Sequence, residues 1–169
     1  MTKDPTIQEI DALEEVLENE AESHGYFLSP DRDAVRALVR GIIVNTRRYG
    51  YASCPCRLST GKREEDLDII CPCDYRDADI AEYGACYCSL YVSLAVKNGK
   101  EEVECIPERR PPPSERKKGL QAAPGSSLQT GFSLPILRCR VCGYLCARAN
   151  PPEQCPICGV AKDRFERFA

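Results

Sequence analysis

Twelve of the 169 residues are cysteine, the net charge is −3, and aromatic residues make up 7% with no tryptophan. This balance argues against nucleic acid as the main partner, which needs a concentrated basic face, and no apolar run approaches the roughly 20 residues that span a membrane. The N-terminus joins no basic stretch to an apolar one, so the expected location is the cytoplasm, where thiols stay reduced and dense cysteines point to metal ligation or redox chemistry rather than cross-links.

In chain order, residues 6–23 carry Ile10, Leu13 and Leu17 at helical spacing, surrounded by Asp11, Glu14, Glu15, Glu18 and Glu20. This pattern predicts a surface helix. A second helix is marked by Ser29 as N-cap, Pro30 at the first helical position, and Asp31 and Asp33 at the positive end of the dipole. Its apolar face is Val35, Leu38, Val39, Ile42 and Ile43, with Arg47 and Arg48 in the last turn and Gly50 just beyond it. The helix ends shortly before Cys54 and delivers it from a rigid element. Leu90-Tyr-Val-Ser-Leu-Ala-Val96, then Asn98-Gly99, then Glu101 to Ile106 reads as a hairpin, because Asn-Gly is a favoured two-residue turn.

Pro107, the prolines at 111–113 and Pro124-Gly-Ser-Ser127 then mark a linker, extended in its proline part and flexible afterwards. The expected organisation is a domain at 1–106, a linker at 107–134 and a second domain at 135–169. Charge is uneven: residues 1–24 hold eight acids and one lysine, whereas 108–118 hold five basic residues and two acids. These are a solvated helix face and a charged linker, with steering of an acidic redox partner as the functional alternative.

Three Cys-X-Cys motifs occur within 35 residues: Cys54-Pro-Cys56, Cys71-Pro-Cys73 and Cys86-Tyr-Cys88. Four thiolates converging from separate segments suit a cubane iron–sulfur cluster, with two left over. Zinc also accepts four thiolates, although one-residue spacing is unlike its usual knuckles. Disulfides require an oxidising compartment.

This pattern resembles the catalytic chain of ferredoxin:thioredoxin reductase, and especially the related ferredoxin:disulfide reductases of anaerobic archaea and bacteria. The likeness covers roughly residues 5–106 and includes the acidic helix, the helix after Ser29-Pro30, Arg57, and the apolar segment Ser89-Leu-Tyr-Val-Ser93. It implies that Cys54, Cys71, Cys73 and Cys86 bind a [4Fe–4S] cluster, and that Cys56 and Cys88 form a redox-active disulfide. Cys56 would be the exposed interchange thiol and Cys88 its cluster-facing partner. It implies ferredoxin as donor and thioredoxin or a similar disulfide protein as acceptor, the cluster reconciling one-electron delivery with two-electron disulfide cleavage. Two departures stand out. The gap between the first and second motifs is shorter than in plant and cyanobacterial enzymes and the next gap longer, and Tyr87 replaces a histidine that could shuttle protons. The sole histidine, His24, is expected at a surface or helix end.

Cys139-X-X-Cys142-Gly-Tyr144 and Cys155-Pro-X-Cys158-Gly159 form two knuckles for one tetrahedral S₄ site, which suits iron or zinc. With Phe165 and Phe168 they resemble the short rubredoxin domain at the end of rubrerythrins, over about residues 135–169. A rubrerythrin di-iron centre needs several carboxylate–histidine pairs, which a single histidine excludes. The rubredoxin-like part is therefore read as a one-electron port holding mononuclear iron, with zinc as the alternative metal. Cys105 and Cys146 receive no role and are expected to behave as small buried hydrophobes.

The expected fold is a small, metal-organised α+β protein: a mainly helical domain folded around a [4Fe–4S] cluster, plus a small β-rich rubredoxin-like domain. The leading function is a ferredoxin-dependent disulfide reductase. Its rivals are a non-catalytic electron-transfer protein with two centres and a zinc-binding adaptor.

Overall fold

Thr6 opens the first helix, α1 (Ile7–Ser23), through a capping box: its side chain accepts from Glu9 N, and the Glu9 carboxylate accepts from Thr6 N at 2.7 Å. At the other end His24 is the C-cap, with Nδ1 2.6 Å from the Glu20 carbonyl oxygen. The computed structural model describes residues 3–119 and 134–168. They fall into two compact units divided after Pro107.

Helix α2 (Arg32–Tyr49) starts two residues later than the sequence suggests. Asp31, not Ser29, is the N-cap, accepting from Ala34 N at 3.0 Å. A carboxylate there both caps the helix and favours the dipole, while the Ser29 hydroxyl accepts from Asp31 N at 3.3 Å and Pro30 stays outside the helix. Gly50 ends α2 at φ +82, its N–H bonded to the Thr46 carbonyl, a left-handed turn that a side chain would strain.

The apolar faces of α1 and α2 meet, burying Ile10, Leu17 and Ala21 with Val35, Val39 and Ile42. Leu38 and Ile43 pack at the margin, and Leu28, Leu90, Tyr91 and Cys86 complete the core. Each fully buried valine contributes about 1.5–3 kcal/mol. Glu14 is only 3% exposed in this core. Arg32 at 2.8 Å and Arg36 at 3.3 Å neutralise it from α2.

The predicted hairpin over residues 90–106 does not form. Strand β1 (Phe27–Leu28) instead pairs antiparallel with β2 (Tyr91–Val92), Phe27 opposite Val92 and Leu28 opposite Tyr91. The chain then turns helical, because Ser93 caps α4 (Leu94–Lys97) by accepting from Val96 N at 3.2 Å. Asn98 is the C-cap of that turn and Gly99 follows at φ +66, so the Asn-Gly pair ends a helix rather than joining strands. A long-range partner and a local cap together outweigh the dipeptide signal. Helix α3 (Arg76–Tyr83) lies between the second and third cysteine motifs.

In the second unit, Pro113–Gly119 forms helix α5 where an extended proline segment was expected; Pro113 is its first residue, the position where a missing N–H costs nothing. The remaining linker positions, 120–133, lie outside the described residues. Strands β3 (Ile136–Cys139), β4 (Leu145–Ala147) and β5 (Phe165–Arg167) make an antiparallel sheet in the order β4-β3-β5. The first unit is mainly helical and the second is small, strand-rich and built around four cysteines. No helix among the described residues is long and apolar enough to cross a membrane.

Candidate redox and metal centres

Helix α2 holds the first motif from behind. Asn45 Nδ2 donates to the Ser53 carbonyl at 3.0 Å, and Gly41 faces Pro55 so closely that a Cβ at position 41 would stand 2.7 Å from the proline Cβ. An antiparallel bridge, Ser53 opposite Ile70, ties the first motif to the second. It is flanked by Cys54 N to the Ile69 carbonyl and Cys71 N to the Ala52 carbonyl, both 2.8 Å. Cys71–Pro72 is a cis peptide.

The third motif is wound into a tight loop. Cys86 N donates to the Tyr91 carbonyl at 2.9 Å, Tyr91 N donates to Cys86 Sγ at 3.3 Å, and Ser89 sits at φ +56. Because Tyr91 belongs to β2, the pairing with β1 fixes this loop against the helical core.

The six central cysteines differ in exposure. Cys54, Cys73 and Cys86 are buried, Cys71 and Cys88 half-buried, and Cys56 exposed. Cys86 Sγ lies 3.6 Å from Cys88 Sγ. The Cys54, Cys56 and Cys88 thiols hydrogen-bond one another. Hydrogen bonds from Cys56 and then Cys88 hold Cys54 down to about 3, and the same contact with Cys54 pushes Cys56 up to about 11. Burial pushes Cys71 well above the ordinary thiol range and Cys73 up to about 12.

Arg57, immediately after the first motif, is buried. Its Nη1 donates to Cys73 Sγ at 3.1 Å, and Nη2 lies 3.8 Å from Asp79 Oδ2, both side chains 0% exposed. Its guanidinium stacks on Tyr75 at 4.5 Å and on Tyr87 at 4.7 Å. Arg76 likewise stacks on Tyr26 at 4.0 Å and approaches Tyr91 at 5.6 Å, while Cys71 Sγ and Tyr91 Oη are 3.9 Å apart. Soft sulfur donors on three converging segments, with a buried guanidinium beside one of them, suit a net-negative thiolate-bound cluster.

A loop after the motif is pinned by Asp66, which is fully buried. It accepts from Tyr51 Oη at 2.6 Å, Thr60 N at 2.7 Å and Gly61 N at 3.3 Å.

The model of the ferredoxin thioredoxin reductase catalytic beta chain matches residues 3–109, well over half of the protein and all three Cys-X-Cys motifs. The chain belongs to this family. The description of this family ties it to ferredoxin and thioredoxin. A second model, the rubredoxin-like domain of rubrerythrin, matches residues 138–166. Reverse rubrerythrin-1 of Clostridium acetobutylicum is 50% identical over 28 residues, 17% of this chain and 16% of that protein, so the chain spans a small part of that relative.

The rubredoxin-like part of this reductase-family chain carries its own four-thiol group. Two similar turns present the thiols: Cys139 N bonds the Tyr144 carbonyl and Gly143 N the Cys139 carbonyl, while Cys155 N bonds the Val160 carbonyl and Gly159 N the Cys155 carbonyl. The four sulfurs lie within 4.8 Å of one another, with Cys139 to Cys158 at 3.7 Å and Cys142 to Cys155 at 3.5 Å. Metal–sulfur bonds of about 2.3 Å in a tetrahedron separate the sulfurs by about 3.8 Å, so the group fits a single ion. Cys139 and Cys155 are buried, Cys142 half-buried, and the Tyr144 and Phe165 rings meet edge to face at 6.5 Å.

Gly41, Asn45 and Asp66 brace the loops around the first Cys-X-Cys motif without belonging to any motif, and Tyr91, inside the apolar segment at 89–93, ties the third motif to β1. Arg57 was visible only as a flank of the first motif. Its partners Tyr75 and Asp79 come from a segment some twenty positions away, so the burial of its charge could not be read locally. Cys105 is exposed rather than buried, and Cys146 is half-buried on β4 opposite Leu137.

Proposed function

We propose that this chain is a ferredoxin-dependent disulfide reductase, with Cys56 and Cys88 as the catalytic dithiol and thioredoxin or a similar protein disulfide as substrate. Cys54, Cys71, Cys73 and Cys86 would hold a [4Fe–4S] cluster, supplying one-electron chemistry beside that dithiol. The observation that best supports the reading is the split in exposure. Cys56 alone among the six central cysteines is exposed, yet its free thiol hydrogen-bonds Cys54 and Cys88, and Cys88 lies 3.6 Å from buried Cys86.

The chemistry follows from that arrangement. The Cys56 thiolate attacks one sulfur of the target disulfide; that S–S bond breaks, and the other target sulfur leaves and takes a proton. The Cys88 thiolate then attacks the Cys56 sulfur, releasing the second target thiol and leaving a Cys56–Cys88 disulfide. Two electrons delivered singly by ferredoxin, with two protons, restore the dithiol. Cys139, Cys142, Cys155 and Cys158 would hold mononuclear iron, or zinc in its place, and with iron the rubredoxin-like unit would serve as a one-electron port. Residues 107–134 act as the tether between the two, giving the port a high effective concentration near the catalytic unit.

Replacing Cys56 or Cys88 with serine tests the reading. Each variant should keep its iron and sulfide content and lose disulfide reduction. Full activity in either would overturn Cys56 and Cys88 as the catalytic dithiol, and a wild-type chain that exchanges electrons but reduces no protein disulfide would be an electron carrier with two centres.

A further inference from the structure

Each of the three Cys-X-Cys segments contributes one member of a cation–aromatic cluster, in which Arg57 is buried and the two tyrosines are half-buried. Arg57 follows the first motif, Tyr75 follows the second, and Tyr87 lies inside the third. The guanidinium carbon lies over the Tyr75 ring at 4.5 Å and over the Tyr87 ring at 4.7 Å; the group donates to Cys73 Sγ at 3.1 Å and is faced by Asp79. The arrangement does not resemble an incidental ion pair. A long flexible cation has been desolvated, held against two aromatic rings and aimed at a sulfur.

We propose that Arg57 is a positioning residue that sets the reduction potential of the iron–sulfur cluster, with Tyr75 and Tyr87 holding its guanidinium plane on Cys73. This rests on the reading of Cys73 as a cluster ligand. Reduction adds negative charge to an already anionic group, and a fixed cation in a dry site favours the reduced form, because little water is present to screen it. Hydrogen bonds to ligand sulfurs and local net charge are the protein's main means of tuning such a centre. Tyr87 thus has a use of its own: its ring lies against the Arg57 guanidinium.

The full chain, purified anaerobically, tests this by redox titration followed by visible and electron paramagnetic resonance spectroscopy, with iron and sulfide measured on every sample. Arg57→Gln should shift the cluster potential to more negative values, and Tyr87→Leu should shift it the same way by less. Tyr87→Phe, which keeps the ring, should match the wild type. The C-terminal centre serves as an internal reference that none of the three should move. If Arg57→Gln fails to load a cluster, Tyr87→Leu and Tyr75→Leu decide. An unchanged potential in a loaded Arg57→Gln, or in loaded leucine variants, overturns the proposal and leaves the cluster reading intact. A wild-type chain without sulfide overturns the cluster reading itself.

Discussion

Gly41→Ala should cost much more activity than stability. A Cβ at position 41 would lie 2.7 Å from Pro55 Cβ, against 3.4 Å for ordinary contact, so the gap must open by roughly 0.7 Å, the difference between those distances. The obstructing atom is part of a proline ring between Cys54 and Cys56, and the only way to yield is for the motif to move. Overpacking of this kind costs about 1–3 kcal/mol, while alanine in place of glycine within a helix returns about 0.5–1 kcal/mol. The net loss is therefore about 0–2.5 kcal/mol, a fall in Tm of between nothing and about 20 °C for a unit of this size. The effect on rate is larger in proportion, because misplacing reacting groups by about 1 Å costs up to 10²-fold. We expect roughly a tenfold loss or more in protein-disulfide reduction, measured beside thermal unfolding of the same samples. Pro55→Gly in the same chain removes the opposing ring and should recover part of the loss. A Gly41→Ala protein that is more stable than the wild type and equally active would refute the view that α2 positions Cys56 through this contact.

Asp66→Asn removes the charge that Tyr51, Thr60 and Gly61 donate to, and should destabilise the first unit by about 1.5–3 kcal/mol in urea unfolding, without altering metal content. Glu14→Leu removes a carboxylate buried among Arg32 and Arg36. Those arginines are at least one-third exposed, so the loss should stay within about 1 kcal/mol, read from the same unfolding curves. Stripping metal from the second unit with a chelator should unfold its β3–β5 sheet, whose core is largely the four ligands, while the circular dichroism signal of α1 and α2 persists.

Helices α1 and α2 were legible because their apolar periodicity agrees with the core they form: Ile10 and Leu17 on one, Val35, Val39 and Ile42 on the other. The C-terminal knuckles were legible because ligands three positions apart on a tight turn converge locally. Neither the fate of residues 90–106 nor the start of α2 was decided locally. Tyr91–Val92 found a partner at Phe27–Leu28, more than sixty positions earlier, and Asp31 displaced Ser29 as cap because it offers charge as well as an acceptor. The exposure of Cys56 relative to Cys54 and Cys86 was expected only from the family resemblance. Composition carries nothing of Arg57 meeting Cys73, since that contact exists only once the bridge between Ser53 and Ile70 has joined the two motifs.

The central claim is that six of the twelve cysteines build an iron–sulfur cluster beside a dithiol, and four more bind one metal ion. Iron, acid-labile sulfide and zinc per chain, measured on anaerobically purified protein, tests it most directly. The account predicts about five iron and four sulfide, one cubane plus one mononuclear site. A protein with no sulfide, its thiols occupied by zinc alone, would contradict it.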